Sequence, residues 1–142
     1  MERMTAREDG MKQTILIADD DIKHRKLLTD ILQAEGYATL TAENGELAID
    51  MARSAKPSLI LMDIQMPMID GLSAVRALKA DAETRLIPVI AITALAMRED
   101  WKRIIEAGFD GYLSKPISIK EVRAEVNRFL GGKPEQTEGT TA

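Results

Sequence analysis

The sequence predicts an α/β fold, in which a five-stranded parallel sheet is covered by helices on both faces as a three-layer sandwich. Two observations predict it. Short, uninterrupted apolar runs, typical of strands buried on both faces, alternate with stretches that carry apolar residues at helical spacing. This (βα) alternation repeats five times between residues 13 and 130, with no low-complexity break. The chain has 142 residues, the length of one domain, and no cysteine, which excludes a disulfide scaffold or a thiolate metal site.

The predicted strands are short and mostly apolar throughout. The first, third and fourth are the ones that suit burial on both faces, whereas the second is weaker because polar residues interrupt it. In chain order the predicted strands are Thr14–Ala18, Tyr37–Ala42, Leu59–Met62, Pro88–Thr93 and Gly111–Ser114.

Each predicted helix has one apolar face and a recognisable beginning or end. Asn44 and Asp70 are suited to cap helices, and Ser118 begins a capping box. Gly36 and Gly108 supply helix stops. The helices are expected over Ile22–Glu35, from Asn44 to near Pro57, over Leu72–Ala80, over Met97–Ala107, and from Ser118 through Leu130.

Charge and the chain ends narrow the possible functions. The 19 basic and 23 acidic residues give a net charge of −4, which argues against a general nucleic-acid binder. No apolar run is long enough to span a membrane, and the first dozen residues lack the apolar core of a signal peptide, so we expect a cytoplasmic protein. Residues 1–12 and 131–142 are polar and are predicted to be disordered, which leaves one domain at 13–130.

Topology indicates where a ligand would bind. Right-handed crossovers and five strands in this rhythm fit the flavodoxin-like strand order 2-1-3-4-5. Neither a Gly-rich dinucleotide motif after the first strand nor a P-loop is present. In such sheets ligands bind beyond the carboxyl ends of the strands, where the strand order reverses.

Acidic and polar residues follow the strands at that edge. The set comprises Asp19, Asp20 and Asp21 after the first strand, Asp63 after the third, Thr93 and Ala94 after the fourth, and Lys115 after the fifth. Clustered carboxylates repel one another, and an oxygen-only ligand set favours Mg²⁺ or Mn²⁺. A remaining carboxylate could attack phosphorus to form an acyl phosphate, whose oxygens the ammonium, hydroxyl and backbone amides would neutralise.

Some residues have simpler interpretations when taken singly. Asp21 fits a helix cap as well as a ligand. His24 lies among basic residues near a helix start, and we expect it to be solvated and without chemistry. Trp101 is expected to pack at helical spacing with Met97 and Ile105.

Five motifs, in order and spacing, carry a family resemblance. They are Ile15–Asp21 (ILIADDD), Leu61–Pro67 (LMDIQMP), Asp70–Gly71, Ala91–Ala94 (AITA) and Tyr112–Pro116 (YLSKP). The chain resembles the receiver domain of bacterial two-component response regulators, with a CheY-like fold, over residues 13–130. The stretches LMDIQMPMIDG, ITALAM and SKPIS are most similar to DivK-type single-domain regulators, and receivers of hybrid sensor kinases share them.

The resemblance implies roles for the acidic residues. Asp63 would be the phosphoacceptor. Asp19, Asp20, Asp63 and the backbone carbonyl of Gln65 would hold Mg²⁺, with Asp20 the direct ligand of the acidic pair and Asp19 acting through water.

It also implies how phosphorylation is sensed. Thr93 would bond a phosphoryl oxygen, Ala94 would leave room for that movement and offer its amide, and Tyr112 would rotate inward as an aromatic switch. Lys115 would pair with a phosphoryl oxygen, and its peptide bond to Pro116 is expected to be cis.

The expected function is that of a single-domain response regulator. A histidine kinase or phosphotransfer protein would phosphorylate Asp63, and the face of the fourth helix, fifth strand and fifth helix would contact a downstream protein, as a monomer or weak dimer. No DNA-binding output domain fits in the polar tail. The alternatives are a receiver cut from a hybrid histidine kinase, an inactive scaffold, and an Mg²⁺-dependent aspartyl phosphatase. Gln65 disfavours the phosphatase because that family has a second Asp there.

Overall fold

Five strands and five α-helices alternate in the part of the chain that the computed structural model describes, which is residues 12–66, 69–94 and 98–131. The strands are β1 (Thr14–Ala18), β2 (Ala38–Ala42), β3 (Leu59–Asp63), β4 (Val89–Thr93) and β5 (Gly111–Ser114). The helices are α1 (Ile22–Ala34), α2 (Gly45–Ala55), α3 (Gly71–Ala80), α4 (Arg98–Ala107) and α5 (Ile119–Val126). None of these helices is long and apolar enough to cross a membrane.

The sheet is parallel throughout and has the order β2-β1-β3-β4-β5, which confirms the predicted topology. Its register aligns the carboxyl ends of the strands. Ala18 pairs with Met62, Asp63 pairs with Ile92, and Thr93 pairs with Ser114. The residues that follow β1, β3, β4 and β5 therefore emerge at one edge, as the alternation of strands and helices requires.

The core consists of two apolar layers, one on each face of the sheet. Ile15 and Ile17 of β1 pack in the layer beneath α1 and α5, whereas Leu16 and Ala18 pack beneath α2, α3 and α4. All of β3 and β4 is buried, while β2 is only partly covered because it lies at an open edge. Burial on both faces explains the continuous apolar runs of the central strands and the weaker pattern of β2.

Polar side chains cap the helices as the sequence predicted. Asn44 accepts the Leu47 N–H, and Asp70 accepts the Ser73 N–H, each at 2.8 Å. The Ser118 hydroxyl accepts the N–H of Glu121 at 3.3 Å. These bonds satisfy backbone donors that have no partner within the helix.

The end of α5 differs from the prediction. The α-helix stops at Val126 rather than Leu130, and Asn127–Gly131 form a wider π-helical turn. In this turn the Arg128 guanidinium binds Glu125 at 2.8 Å and lies 4.4 Å from the centre of the Phe129 ring. The predicted disordered tails lie outside the described residues except for Lys12 and Gly131.

Candidate functional site

Asp63 ends β3 with its side chain directed into the carboxyl edge, where it is only 2% exposed. Its Oδ2 accepts a hydrogen bond from the Lys115 Nζ at 3.0 Å, and its Oδ1 accepts the Gln65 N–H at 3.0 Å. A buried carboxylate is tolerated when it is paired with a cation and hydrogen-bonded in this way. The strand thus presents an oriented carboxylate at the carboxyl edge of the sheet.

The loop after Asp63 is held close to the start of α3. The Gly71 N–H donates to the Ile64 carbonyl at 2.8 Å. A Cβ on Gly71 would lie 2.7 Å from both the Asp63 carbonyl oxygen and the Ile64 Cα, so any side chain here would push the backbone away. The absence of a side chain therefore lets the helix set the position of the Asp63 backbone.

Asp19 follows β1 and is completely buried. Its Oδ1 accepts the Asp21 N–H at 2.8 Å, but its Oδ2 has no hydrogen-bond partner. Burial raises the pKa of the Asp19 carboxyl above its usual range, and the negative charge of Asp63 adds to the rise, against the opposing Asp21 N–H. An unpartnered oxygen on a buried carboxylate is costly unless something fills it, and a divalent cation suits an oxygen donor set of this kind.

Asp20 and Asp21 occupy different places from Asp19. Both are exposed, and Asp21 caps α1 by accepting the Lys23 N–H at 2.8 Å. That hydrogen bond is the main cause that lowers the pKa of Asp21. The capping interpretation of Asp21 is confirmed, and Asp20 lies outside the group of side chains that converge on Asp19 and Asp63.

His24 is the residue that sequence reasoning missed. Its Nδ1 lies 3.3 Å from the Asp19 Oδ2 and 3.8 Å from the Asp21 Oδ2, and its side chain is 31% exposed. The side chain is partly solvated, as expected, but it lies against the acidic site, a contact that the sequence analysis did not predict. The signal was available, because α1 begins directly after the acidic run and its first turn carries residue 24 back over that run.

Thr93 and Lys115 are joined through the backbone. Thr93 ends β4 and is 1% exposed, and its carbonyl accepts the Lys115 N–H at 2.9 Å. The following Ala94 is exposed. The Lys115–Pro116 peptide bond is cis. The ends of β4 and β5 therefore carry a hydroxyl and an ammonium to the same edge as Asp63.

Tyr112 and Trp101 form an aromatic pair on the face of α4 and β5. Their rings meet edge to face, with centres 5.3 Å apart. Trp101 is 44% exposed, and its aromatic contact is across to β5. Ile105 is itself exposed, so the expected packing of Trp101 along its own helix stays a prediction. Met97, the other expected neighbour, lies outside the described residues, as do Pro67 and Leu95.

A buried aspartate on a 2-1-3-4-5 sheet, paired with a lysine from the last strand and adjacent to a second buried carboxylate, defines a phosphoacceptor signalling domain. The family described as response regulator receiver domain matches residues 15–127, and the chain belongs to that family.

Curated relatives agree with this assignment. The polar-differentiation response regulator DivK of Brucella anthropi is 44% identical over 121 residues, which cover 85% of this chain and 98% of the relative. The DivK of Brucella ovis is 43% identical over the same shares.

Solved structures agree as well. The receiver domain of a Pseudomonas aeruginosa sensor histidine kinase, crystallised with a magnesium ion coordinated in its active site cleft, gives a TM-score of 0.78 at 32% identity, over 84% of this chain and 98% of that one. The receiver domain of a histidine kinase from Syntrophus aciditrophicus gives 0.78 at 35% identity, over 92% and 98%.

Family membership decides between several expectations. The protein is a phosphoacceptor response regulator and not a conventional enzyme, so the phosphatase interpretation is wrong. A response regulator implies a histidine kinase as partner. The similar proteins include both DivK regulators and receivers of histidine kinases, so the standalone form stays a prediction.

Proposed function

We propose that Asp63 accepts a phosphoryl group from the phosphohistidine of a histidine kinase or phosphotransfer protein. The proposal rests on the position and hydrogen bonding of the Asp63 carboxylate. It is buried at a strand end, its Oδ1 accepts the Gln65 N–H, and its Oδ2 is paired with Lys115. The alternative acidic residues are less suited, since Asp20 and Asp21 are exposed and Asp19 is completely enclosed.

The transfer itself needs little from the protein beyond placement and charge. An oxygen of Asp63 bonds to phosphorus as the phosphorus–nitrogen bond of the donor breaks, and the electron pair of that bond stays on the imidazole nitrogen. The Lys115 ammonium, 3.0 Å from the Asp63 Oδ2, is placed to pair with a phosphoryl oxygen.

A divalent cation, Mg²⁺ or Mn²⁺, fits the acidic edge. The unpartnered Asp19 Oδ2 and the nearby Asp63 carboxylate offer oxygen donors without enough cations to balance them. We assign Asp19, Asp20, Asp63 and the backbone carbonyl of Gln65 to hold it. When bound, the cation neutralises charge that develops on the phosphoryl oxygens.

Phosphorylation of Asp63 would then change the α4–β5–α5 face, which lies away from the acidic edge. The phosphate adds roughly −1.5 to −2 charges at pH 7. Thr93 and the Ala94 amide would bind its oxygens, and Tyr112 would rotate into the space that Thr93 leaves. Because Tyr112 contacts the half-exposed Trp101, this movement would alter the α4–β5–α5 face that a downstream protein reads.

Other parts of the proposal concern the whole protein. We propose that the receiver domain spans residues 13–130, that it acts in the cytoplasm as a monomer or weak dimer, and that it signals by protein contact rather than by binding nucleic acid. The net charge of −4 supports the last point.

Labelling with acetyl phosphate and Mg²⁺ tests the proposal. The wild type should gain one phosphoryl group by intact mass, and Asp63→Asn should gain none. Asp81→Asn, a matched change at the other end of the sheet, should label like the wild type. Trp101 is the only tryptophan, so its fluorescence reports the switch in the same samples. Equal labelling of Asp63→Asn and the wild type would remove Asp63 from the mechanism.

A further inference from the structure

We propose that His24 is a metal ligand, so that this acidic site is a mixed oxygen and nitrogen site that binds Zn²⁺ and related transition-metal ions through imidazole. The inference rests on the proposed function because it concerns the same cation site, and it adds a ligand that the family resemblance did not supply. It predicts a metal preference that depends on His24.

The ligand atoms are close enough to share one ion. A carboxylate oxygen of Asp19, one of Asp63 and a ring nitrogen of His24 all lie within 4.8 Å of one another. The Asp19 Oδ2 and the His24 Nδ1 are 3.3 Å apart. Neighbouring ligands at about 2.1 Å from one ion are roughly 3.0 Å apart in octahedral and 3.4 Å apart in tetrahedral geometry.

Both atoms are also left without a hydrogen bond. The Asp19 Oδ2 and the His24 Nδ1 are buried atoms that make no hydrogen bond among the described residues, although they lie 3.3 Å apart and would form an ion pair when His24 is protonated. Asp19 is completely buried, so no reorientation toward solvent satisfies its oxygen. One shared cation would satisfy both atoms at once.

The group of Asp19, Asp63 and His24 lies in a local excess of negative charge, which favours binding of a cation. Asp21 also faces this group, and the Lys115 Nζ is paired with the Asp63 Oδ2 at 3.0 Å. Arg25 is directed to the backbone carbonyl of Asp19 at 2.8 Å rather than to its carboxylate. The three carboxylates therefore outnumber the cations that contact them directly.

A nitrogen donor changes which ions the site prefers. Mg²⁺ takes oxygen ligands and waters, and it gains little from imidazole. Zn²⁺ and Ni²⁺ bind imidazole well. A site with both nitrogen and oxygen ligands therefore binds these two ions more tightly than it binds Mn²⁺. His24 should therefore raise the affinity for Zn²⁺ and leave the affinity for Mg²⁺ almost unchanged.

Nuclear magnetic resonance tests this on the wild type, because His24 is the only histidine in the chain. In untagged, nitrogen-15-labelled protein, saturating Zn²⁺ should shift the His24 Nδ1 resonance strongly, whereas saturating Mg²⁺ should shift it little. Zn²⁺ binding that leaves the Nδ1 resonance in place would overturn the proposal.

Calorimetric titration of His24→Leu gives the second measurement. Its Zn²⁺ affinity should fall about tenfold or more, with Mg²⁺ affinity within about twofold of the wild type. Lys26→Leu, on the same helix and 76% exposed, is the matched control and should change neither affinity. Unchanged Zn²⁺ affinity in His24→Leu contradicts the assignment of His24. Failure of the wild type to bind either ion contradicts the cation site of the proposed function as well.

Discussion

Where β4 and β5 begin, at the amino edge of the sheet, Lys79 and Asp110 are satisfied by hydrogen bonds, whereas at the carboxyl edge the buried Asp19 Oδ2 accepts none among the described residues. Elsewhere along the amino edge, before β1, the Gln13 Oε1 is also without a hydrogen bond. Each of the three Lys79 ammonium donors at the amino edge has an acceptor: the Ile87 carbonyl at 2.8 Å, the Asp110 Oδ2 at 3.0 Å and the Arg85 carbonyl at 3.2 Å. The same Asp110 oxygen accepts the Val89 N–H at 2.9 Å.

Both edges contain a Lys–Asp pair, but the pair at the amino edge has a structural role and the pair at the carboxyl edge lies at the candidate functional site. Lys79 with Asp110 and Lys115 with Asp63 are both Lys–Asp pairs at 3.0 Å. The first pair is surrounded by backbone partners, which fix two strand starts and the end of α3. The second lies beside a carboxylate whose bonding capacity is unfilled. Bonding that is complete stabilises the fold, and bonding that is incomplete leaves capacity for a ligand.

The largest effect on stability is expected from Gly71→Ala at the carboxyl edge. The new Cβ would meet the Asp63 carbonyl oxygen and the Ile64 Cα at 2.7 Å, and backbone atoms cannot move aside cheaply. We expect a loss of about 2–3 kcal/mol in the free energy of unfolding, measured by urea denaturation, and slower labelling by acetyl phosphate. The exposed Ser73→Ala on the same helix is the control, with a change within about 0.5 kcal/mol. Equal stability of the two variants would mean that the loop between Asp63 and Gly71 can shift to accommodate the new Cβ at little cost.

Removing the partner of Lys79 should break the amino edge without affecting phosphorylation. Asp110→Ala leaves the Val89 N–H and one Lys79 donor without their acceptor. Because Asp110 is 38% exposed and water can replace part of the loss, we expect about 1–2 kcal/mol of destabilisation by urea unfolding. Asp30→Ala, which removes an exposed pair with Lys26, should cost under about 0.5 kcal/mol. A large loss of labelling by acetyl phosphate in Asp110→Ala would show that the amino edge of the sheet affects phosphorylation at the carboxyl edge.

Asp19→Asn should stabilise the protein in the absence of metal. Burial raises the pKa of Asp19, so its contribution to stability is complete below the ordinary value of 3.8 and is lost as the pH rises through the raised folded value. At neutral pH in a chelator, we expect the variant to be about 1 kcal/mol more stable than the wild type by urea unfolding. Mg²⁺ at ten times its dissociation constant should stabilise the wild type by about 1.4 kcal/mol and the variant less. A variant less stable than the metal-free wild type would contradict this account.

The smallest effect is expected from Asp81→Asn near the amino edge, and its sign is opposite. The Glu83 N–H and the Arg53 guanidinium lower the pKa of Asp81, so its contribution to stability is present above the ordinary value of 3.8 and is lost as the pH falls through the lowered folded value. The variant should therefore melt below the wild type near neutral pH, with the gap closing on acidification. Melting temperatures of both aspartate variants between about pH 3 and 7 should diverge in opposite directions from the wild type. Parallel curves would contradict the proposed difference between the edges.

Much of this architecture follows from the sequence because it depends on short-range patterns. Continuous apolar runs predicted β1, β3 and β4, and caps such as Asn44 and Asp70 predicted where helices begin. The acidic edge could be predicted because a parallel sheet delivers all carboxyl ends to one side, wherever Asp63 and Lys115 lie along the chain.

The rest depends on side-chain geometry between distant elements. His24 looked like one member of a basic run, since sequence spacing alone did not give the angle at which α1 leaves β1. The bond between Lys79 and Asp110 joins residues 31 apart, which no helical or strand period connects. Trp101 fitted the apolar spacing of its helix, but its partner Tyr112 belongs to another element. The α-helix α5 ends at Val126, and the Arg128 contacts with Glu125 and Phe129 lie in the π-helical turn that follows.

The pair that holds Asp63 spans 52 residues, and its lysine follows the last strand of the sheet. During translation the acidic half of this site therefore leaves the ribosome well before its basic half. If Asp63 and Lys115 act together as proposed, a nascent chain that has not yet released residue 115 lacks the complete site and would not accept a phosphoryl group from a kinase. Competence to signal arrives only as synthesis of the domain nears its end.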